Sequence, residues 1–211
     1  EGLFVRDGQL FESTGLEGRS VIREVALASG RTLREVAIPP SQFGEGIVDF
    51  GAELLSVTWQ NGIGHRWRRS DFKRLGGFRY TGEGWGMTQN GRSIILSDGT
   101  PVLRFFDPAT MRETRRITVT VSGLPLAQLN ELEFVDGEIL ANVWHDNRIA
   151  RIDPVSGRVK GWIDLSAIVA ATPKRNAEAV ANGIAWDKVA RRLYVTGKNW
   201  PTLYRIAWPV N

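Results

Sequence analysis

Glu1-Gly2-Leu3, Glu45-Gly46-Ile47, Trp85-Gly86-Met87, Asn130-Glu131-Leu132 and Asn182-Gly183-Ile184 are five versions of one phrase in a chain of 211 residues. Each begins with a polar or aromatic residue and opens a run of alternating, strand-forming residues. The phrase returns after 40 to 52 residues, the period of four-stranded propeller blades rather than of the shorter helical repeats. The expected fold is therefore all-β, a five-bladed β-propeller forming one domain over residues 1–211. Equivalent positions in a radial array face one another across an axis, so the same phrase also marks a candidate site.

The units share internal punctuation. In the fourth, residues 132–135 read as a first strand, Asp136-Gly137 as a two-residue hairpin turn and Glu138-Ile139-Leu140 as the opening of a second strand. Similar turns stand at Asp7-Gly8 and Asn90-Gly91. Second strands end in comparable places, over residues 10–14, 55–59, 95–98, 140–144 and 193–198. Antiparallel pairing puts the end of a second strand beside the start of the first, so restarts and strand ends should converge on one mouth of the central channel. Asp107-Pro108-Ala109-Thr110 and Asp153-Pro154-Val155-Ser156-Gly157 are turn signals between third and fourth strands. The longest interval carries an Ala-rich stretch, residues 166–181, broken by Pro173 and read as an inserted, partly helical loop near that mouth. The last unit holds about three strands before Asn211, and an open sheet edge invites aggregation, so a closing strand is expected upstream of Glu1.

Composition narrows the function. Hydrophobic residues at 42% and charged residues at 24% suit a packed soluble domain. No apolar run reaches the ~18 to 20 residues of a membrane span, and the start lacks a signal-peptide pattern, so no membrane partner is expected. The absence of cysteine excludes disulfides, thiol nucleophiles and cysteine-liganded metals while leaving the compartment open. His65 and His145 fall in different repeats without ligand-like spacing, which points to hydrogen-bonding roles and no metal site. The net charge of +4 raises nucleic acid as a partner, and Arg66-Trp67-Arg68-Arg69 interleaves an aromatic with cations. Arg115-Arg116 and Arg191-Arg192 lie in other repeats, however, so the cations read as solvated outer strands and no nucleic-acid partner is expected.

At the expected mouth, Glu45 stands between Gly44 and Gly46, which would leave room for close approach. A carboxyl in apolar surroundings is a candidate proton-transfer group; a structural hydrogen bond to the next blade is the other reading. Trp59, Trp85 and Trp144 occupy the mouth columns and would supply aromatic walls. Trp162, Trp186 and Trp208 fall outside those columns and read as blade packing.

Read together, Phe11-Glu12-Ser13-Thr14-Gly15, Phe43-Gly44-Glu45-Gly46, Leu129-Asn130-Glu131-Leu132-Glu133, Asn182-Gly183-Ile184-Ala185-Trp186-Asp187 and Thr196-Gly197-Lys198-Asn199-Trp200-Pro201 resemble the plant and bacterial type of glutaminyl-peptide cyclotransferase. The resemblance covers nearly the whole chain. It implies a five-bladed propeller, distinct from the zinc-containing animal enzyme, that converts N-terminal glutamine of peptides or proteins to pyroglutamate with loss of ammonia and no cofactor. It implies Glu45 as the catalytic residue and Phe43 as part of the pocket. Asn130, an uncharged donor at a restart, suits polarisation of the amide carbonyl. Lys198 would assist or anchor the peptide, or be a solvated rim charge, and Asn182 reads as structural. The departure is Glu1, where the plant pattern carries glutamine; a second carboxylate there would raise one pKa of the pair or contribute only a hydrogen bond. Family membership suggests a secreted or periplasmic monomer. Two other readings stay open: a Ca²⁺-dependent, lactonase-like hydrolase with Glu1 or Glu45, Asn130 and Asn182 around an axial ion, and a non-catalytic propeller that captures peptides at its rim.

Overall fold

A computed structural model describes residues 1–173 and 176–208. Five antiparallel sheets follow one another along the chain. Blade 1 comprises β1 (Gly2–Arg6), β2 (Gln9–Ser13), β3 (Val21–Ala26) and β4 (Thr32–Ala37). Blade 2 comprises β5 (Gly44–Phe50), β6 (Glu53–Thr58), β7 (Ile63–Arg68) and β8 (Arg74–Arg79). Blade 3 comprises β9 (Met87–Gln89), β10 (Ile94–Leu96), β11 (Val102–Phe106) and β12 (Glu113–Thr118). A small hairpin, β13 (Thr120–Val121) and β14 (Leu124–Pro125), precedes blade 4, which is β15 (Leu129–Val135), β16 (Glu138–Val143), β17 (Arg148–Ile152) and β18 (Val159–Asp164). After α1 (Ser166–Ala171), blade 5 has β19 (Ala181–Asp187), β20 (Arg192–Gly197) and β21 (Tyr204–Ile206). The innermost strands neighbour each other in the order β1, β5, β9, β15, β19 and back to β1, giving the five-bladed propeller.

Burial falls from the axis outward. Six of the seven residues of β5 are buried, whereas the outer strand β8 is nearly all exposed. Apolar side chains of each sheet meet those of the next, so the core is five separate layers between blades. The layer between blades 5 and 1 is the thinnest, built on Leu3, Leu10, Val25, Ala185 and Tyr194. Asp136 (φ 47°) and Gly137 (φ 88°) both take left-handed backbone, as do Asp7 and Gly8, the conformation a tight hairpin needs to match strand twist.

The outer features follow the sequence reading. Arg66 is held by Glu53 at 2.7 Å, Arg69 by Asp7 at 2.9 Å and Arg68 by Asp71 at 2.8 Å, while Trp67 is buried with its indole N–H on Ser56. The basic cluster thus serves blade edges. Trp186 packs against Trp208, and Trp162 lies under the Arg148 guanidinium. His65 is buried against Gln42 Oε1 at 2.7 Å, and burial, helped by Arg74, lowers its pKa to about 4. The inserted loop is helical only over Ser166–Ala171; Lys174 and Arg175 lie outside the described residues. The β13–β14 hairpin has no counterpart in the sequence reading.

Candidate active site

Three of the innermost strands carry a register shift at the restart phrase, between Gly44 and Ile47, Leu129 and Leu132, and Ala181 and Ile184. Bulged residues leave the ladder and re-aim their side chains. The residues so released are Glu45-Gly46, Asn130-Glu131 and Asn182-Gly183, at the mouth end of the channel. The glycines beside Glu45 have a different purpose from the room for approach that the sequence suggests. A Cβ on Gly44 would meet Ile38 Cδ1 at 2.5 Å, and one on Gly46 would meet Met87 N at 2.7 Å. The protein itself fills that space, and Gly46 N–H donates to Trp85 O at 2.7 Å, tying Glu45's strand to the aromatic segment of blade 3.

Glu45 is buried, and its Oε2 has no hydrogen-bond partner within the described protein. Burial pushes its carboxyl well above the usual range, and the neighbouring Glu1 carboxylate adds to the rise. Glu1 goes the other way: burial would lift it, but the Lys198 ammonium, by its charge and its hydrogen bond, works to hold it low. Lys198 Nζ lies 2.7 Å from Glu1 Oε2 with both side chains mostly shielded, and despite burial the two carboxylates raise its pKa. Lys198 is therefore a paired internal cation and not a solvated rim charge. The three groups form a unit in which the Glu45 carboxyl is pushed up, the Glu1 carboxyl is held low and Lys198 pairs with Glu1.

Phe43 and three tryptophans form linked aromatic contacts that begin beside Glu1. The Phe43 ring covers Gly15, where an added Cβ would also lie 2.9 Å from Glu1 Oε1. Phe43 meets Trp59 edge to face at 5.8 Å between centroids, and Trp85 meets Trp144 likewise at 5.8 Å. Trp144 is followed by the exposed His145, whose ring lies against it at 4.3 Å. Asn130 is buried, with its side-chain Oδ1 unpartnered within the described protein. Asn182 Oδ1 instead accepts the Glu131 N–H at 3.3 Å, the structural role read from sequence. A groove of about 830 Å³ leads away from Glu1, Phe43 and Lys198 past Arg19, Glu178 and Trp200.

Two carboxylates escaped the sequence reading. Glu83 Oε2 accepts both the Trp59 and the Trp85 indole N–H, at 2.7 and 2.8 Å. Glu131 is the one departure from glycine among Gly2, Gly46, Gly86, Glu131 and Gly183, the second residues of the five phrases. Its Oε2 accepts the Ile184 N–H at 2.8 Å, and the carboxyl also accepts from the Leu3 backbone, joining blade 4 to blades 5 and 1. Four glycines against one glutamate was a visible signal. Among the described residues no three His, Asp or Glu side chains are grouped to hold a metal ion.

Fold and site together define a β-propeller with a buried, elevated-pKa acid on the bulge of an innermost strand whose neighbouring segment carries Trp85. The family model for glutamine cyclotransferase matches residues 1–208. A glutaminyl-peptide cyclotransferase of Arabidopsis thaliana is 39% identical over 207 residues, 97% of this chain, which spans 65% of that relative's length. The crystal structure of Myxococcus xanthus glutaminyl cyclase superposes with a TM-score of 0.92 at 35% identity, covering 97% of this chain and 88% of that one. The WD40 β-propeller domain of Doa1 matches at a TM-score of 0.59 and 11% identity, over 96% of this chain and 61% of that domain, a likeness of fold alone. The chain belongs to the glutamine cyclotransferase family.

Proposed function

We propose that this protein cyclises the N-terminal glutamine of peptides and proteins to pyroglutamate, with Glu45 relaying the proton and no metal taking part. The observation that carries the reading is the coupled Glu45, Glu1 and Lys198 unit in a chain of this family. The substrate's amine is already tethered to the amide it attacks, so the pocket mainly has to hold the cyclising conformer. That amine has a pKa of roughly 7.7 to 8.0 and is partly neutral near neutrality. As its nitrogen bonds to the side-chain amide carbon, one proton passes to an oxygen of Glu45. A protonated Glu45 carboxyl delivers a proton to the amide nitrogen, the C–N bond breaks, and ammonia leaves. A carboxyl with raised pKa suits both transfers. The Asn130 side-chain N–H group is the donor that would meet the charge building on the carbonyl oxygen, and the aromatic side chains would hold the glutamine stem. Glu1 and Lys198 set the proton affinity of Glu45 and are not consumed. The protein works as a monomer outside the cytoplasm, in the periplasm or secreted. Incubation with a glutamine-initiated peptide tests the reading: the peptide should lose the mass of one ammonia as free ammonia accumulates, and binding without turnover would favour a capture propeller.

A further inference from the structure

Glu83 sits in the loop between blades 2 and 3, half-buried at the pocket rim, and nothing in the proton relay uses it. Its Oε2 takes the indole N–H groups of Trp59 (2.7 Å) and Trp85 (2.8 Å), and its Oε1 takes the Gln60 amide at 3.2 Å. Trp59 is 39% exposed and has little else to fix its ring beyond the edge of Phe43. One carboxylate therefore clasps aromatic side chains from two blades. Partial burial would lift its pKa, but the donors from Trp85, Gln60 and Trp59 outweigh that and keep it ionised; among the described residues no cation pairs with it. Lys198 pairs with Glu1 and Arg23 with Glu12, while Arg19 and Glu178 line one groove with opposite sign. Glu83 is a carboxylate at this rim without an ion-pair partner among the described residues.

We propose that Glu83 is a positioning and specificity-determining residue: it fixes the Trp59 and Trp85 walls and makes the mouth favour glutamine peptides followed by cationic over acidic residues. This rests on the cyclase reading, and the test separates the two. Turnover of three peptides with lysine, alanine or glutamate after the N-terminal glutamine is compared at low ionic strength for the parent, Glu83→Gln and Glu83→Leu, with tryptophan emission recorded for each protein. In the parent, KM for the lysine peptide should fall below that for the glutamate peptide by about twofold to fivefold, the size of an exposed charge interaction. Glu83→Gln should collapse that ratio towards one. Glu83→Leu should also shift tryptophan emission and raise KM for all three peptides more than it lowers kcat. A ratio unchanged in Glu83→Gln overturns the charge preference, and parental emission and KM in Glu83→Leu overturn the clasp. If the parent turns over none of the peptides the cyclase reading fails, while the emission comparison still decides the clasp.

Discussion

Replacing Lys198 by methionine keeps most of the side chain's length and removes the cation paired with Glu1. At 2.7 Å from Glu1 Oε2, the gross attraction is roughly 6 kcal/mol at an effective dielectric constant of about 20. Desolvation takes back much of that, and loss of one partner of a shielded pair typically costs about 3 to 5 kcal/mol. For a chain of 211 residues, at roughly 2 to 4 °C per kcal/mol, Tm should fall by about 6 to 20 °C at pH near 7.5. The pH dependence carries a sign. In the parent, Glu1 titrates below its unfolded value, so its contribution is complete above the ordinary carboxylate range and fades as pH drops through it. In Lys198→Met, burial acts on Glu1 without the lysine's counterweight, so its pKa rises from the parent's and the stabilising contribution at neutral pH is lost. The variant's penalty is then full at neutral pH and is relieved as acid protonates the carboxyl. Thermal melts from pH 7.5 down to 4 should show the gap between parent and variant narrowing. A gap under about 2 °C at neutral pH, less than 1 kcal/mol on this scale, or one that widens on acidification, refutes the paired-cation account.

Other outcomes follow from the same geometry. Glu1→Gln removes the like charge that raises Glu45, so the limb of the kcat/KM profile belonging to Glu45 should move to lower pH, while the limb set by the substrate amine near 8 stays. A Glu45 limb that stays in place would contradict the coupling. Glu131→Ala orphans two buried backbone N–H groups at the thinnest layer, at about 1 to 3 kcal/mol each. Urea unfolding should show a loss of roughly 2 to 6 kcal/mol with m unchanged. A chelator in large excess should leave cyclisation intact. Activity lost to chelation and restored by Ca²⁺ would favour an axial-ion hydrolase, although Asn182 Oδ1 is already engaged by Glu131 N–H.

The propeller was legible because repetition does not depend on recognising any one strand: the five phrases and the Asp-Gly turns mark the blades even where β9 and β10 are only three residues long. The same reasoning marked Glu45, Glu1, Asn130, Lys198 and the three tryptophans as candidates, since restarts and strand ends share a mouth. What the pattern hid were side-chain directions. Gly44 and Gly46 looked like clearance for a ligand, yet neighbouring backbone and Ile38 occupy the space. Lys198 was readable as a rim charge because nothing in sequence shows that it reaches Glu1 across the seam between blades 5 and 1. Glu83 lies in a loop outside both mouth columns, and only the position of two indole N–H groups gives it meaning. The inserted loop followed composition in its Ala-rich start, where Ser166–Ala171 is helical, and departs from it where Pro173 blocks continuation.

The central claim is that one shielded carboxyl moves the proton, and Glu45→Gln isolates it by keeping shape and polarity while removing the exchangeable acid. Steady-state ammonia release from a glutamine-initiated peptide should fall by about 10² to 10⁴ in kcat, the usual worth of general acid–base catalysis, with KM changed little because the aromatic wall is intact. A Glu45→Gln protein that folds, binds the peptide and retains kcat within about tenfold of the parent, short of that range, would contradict the account.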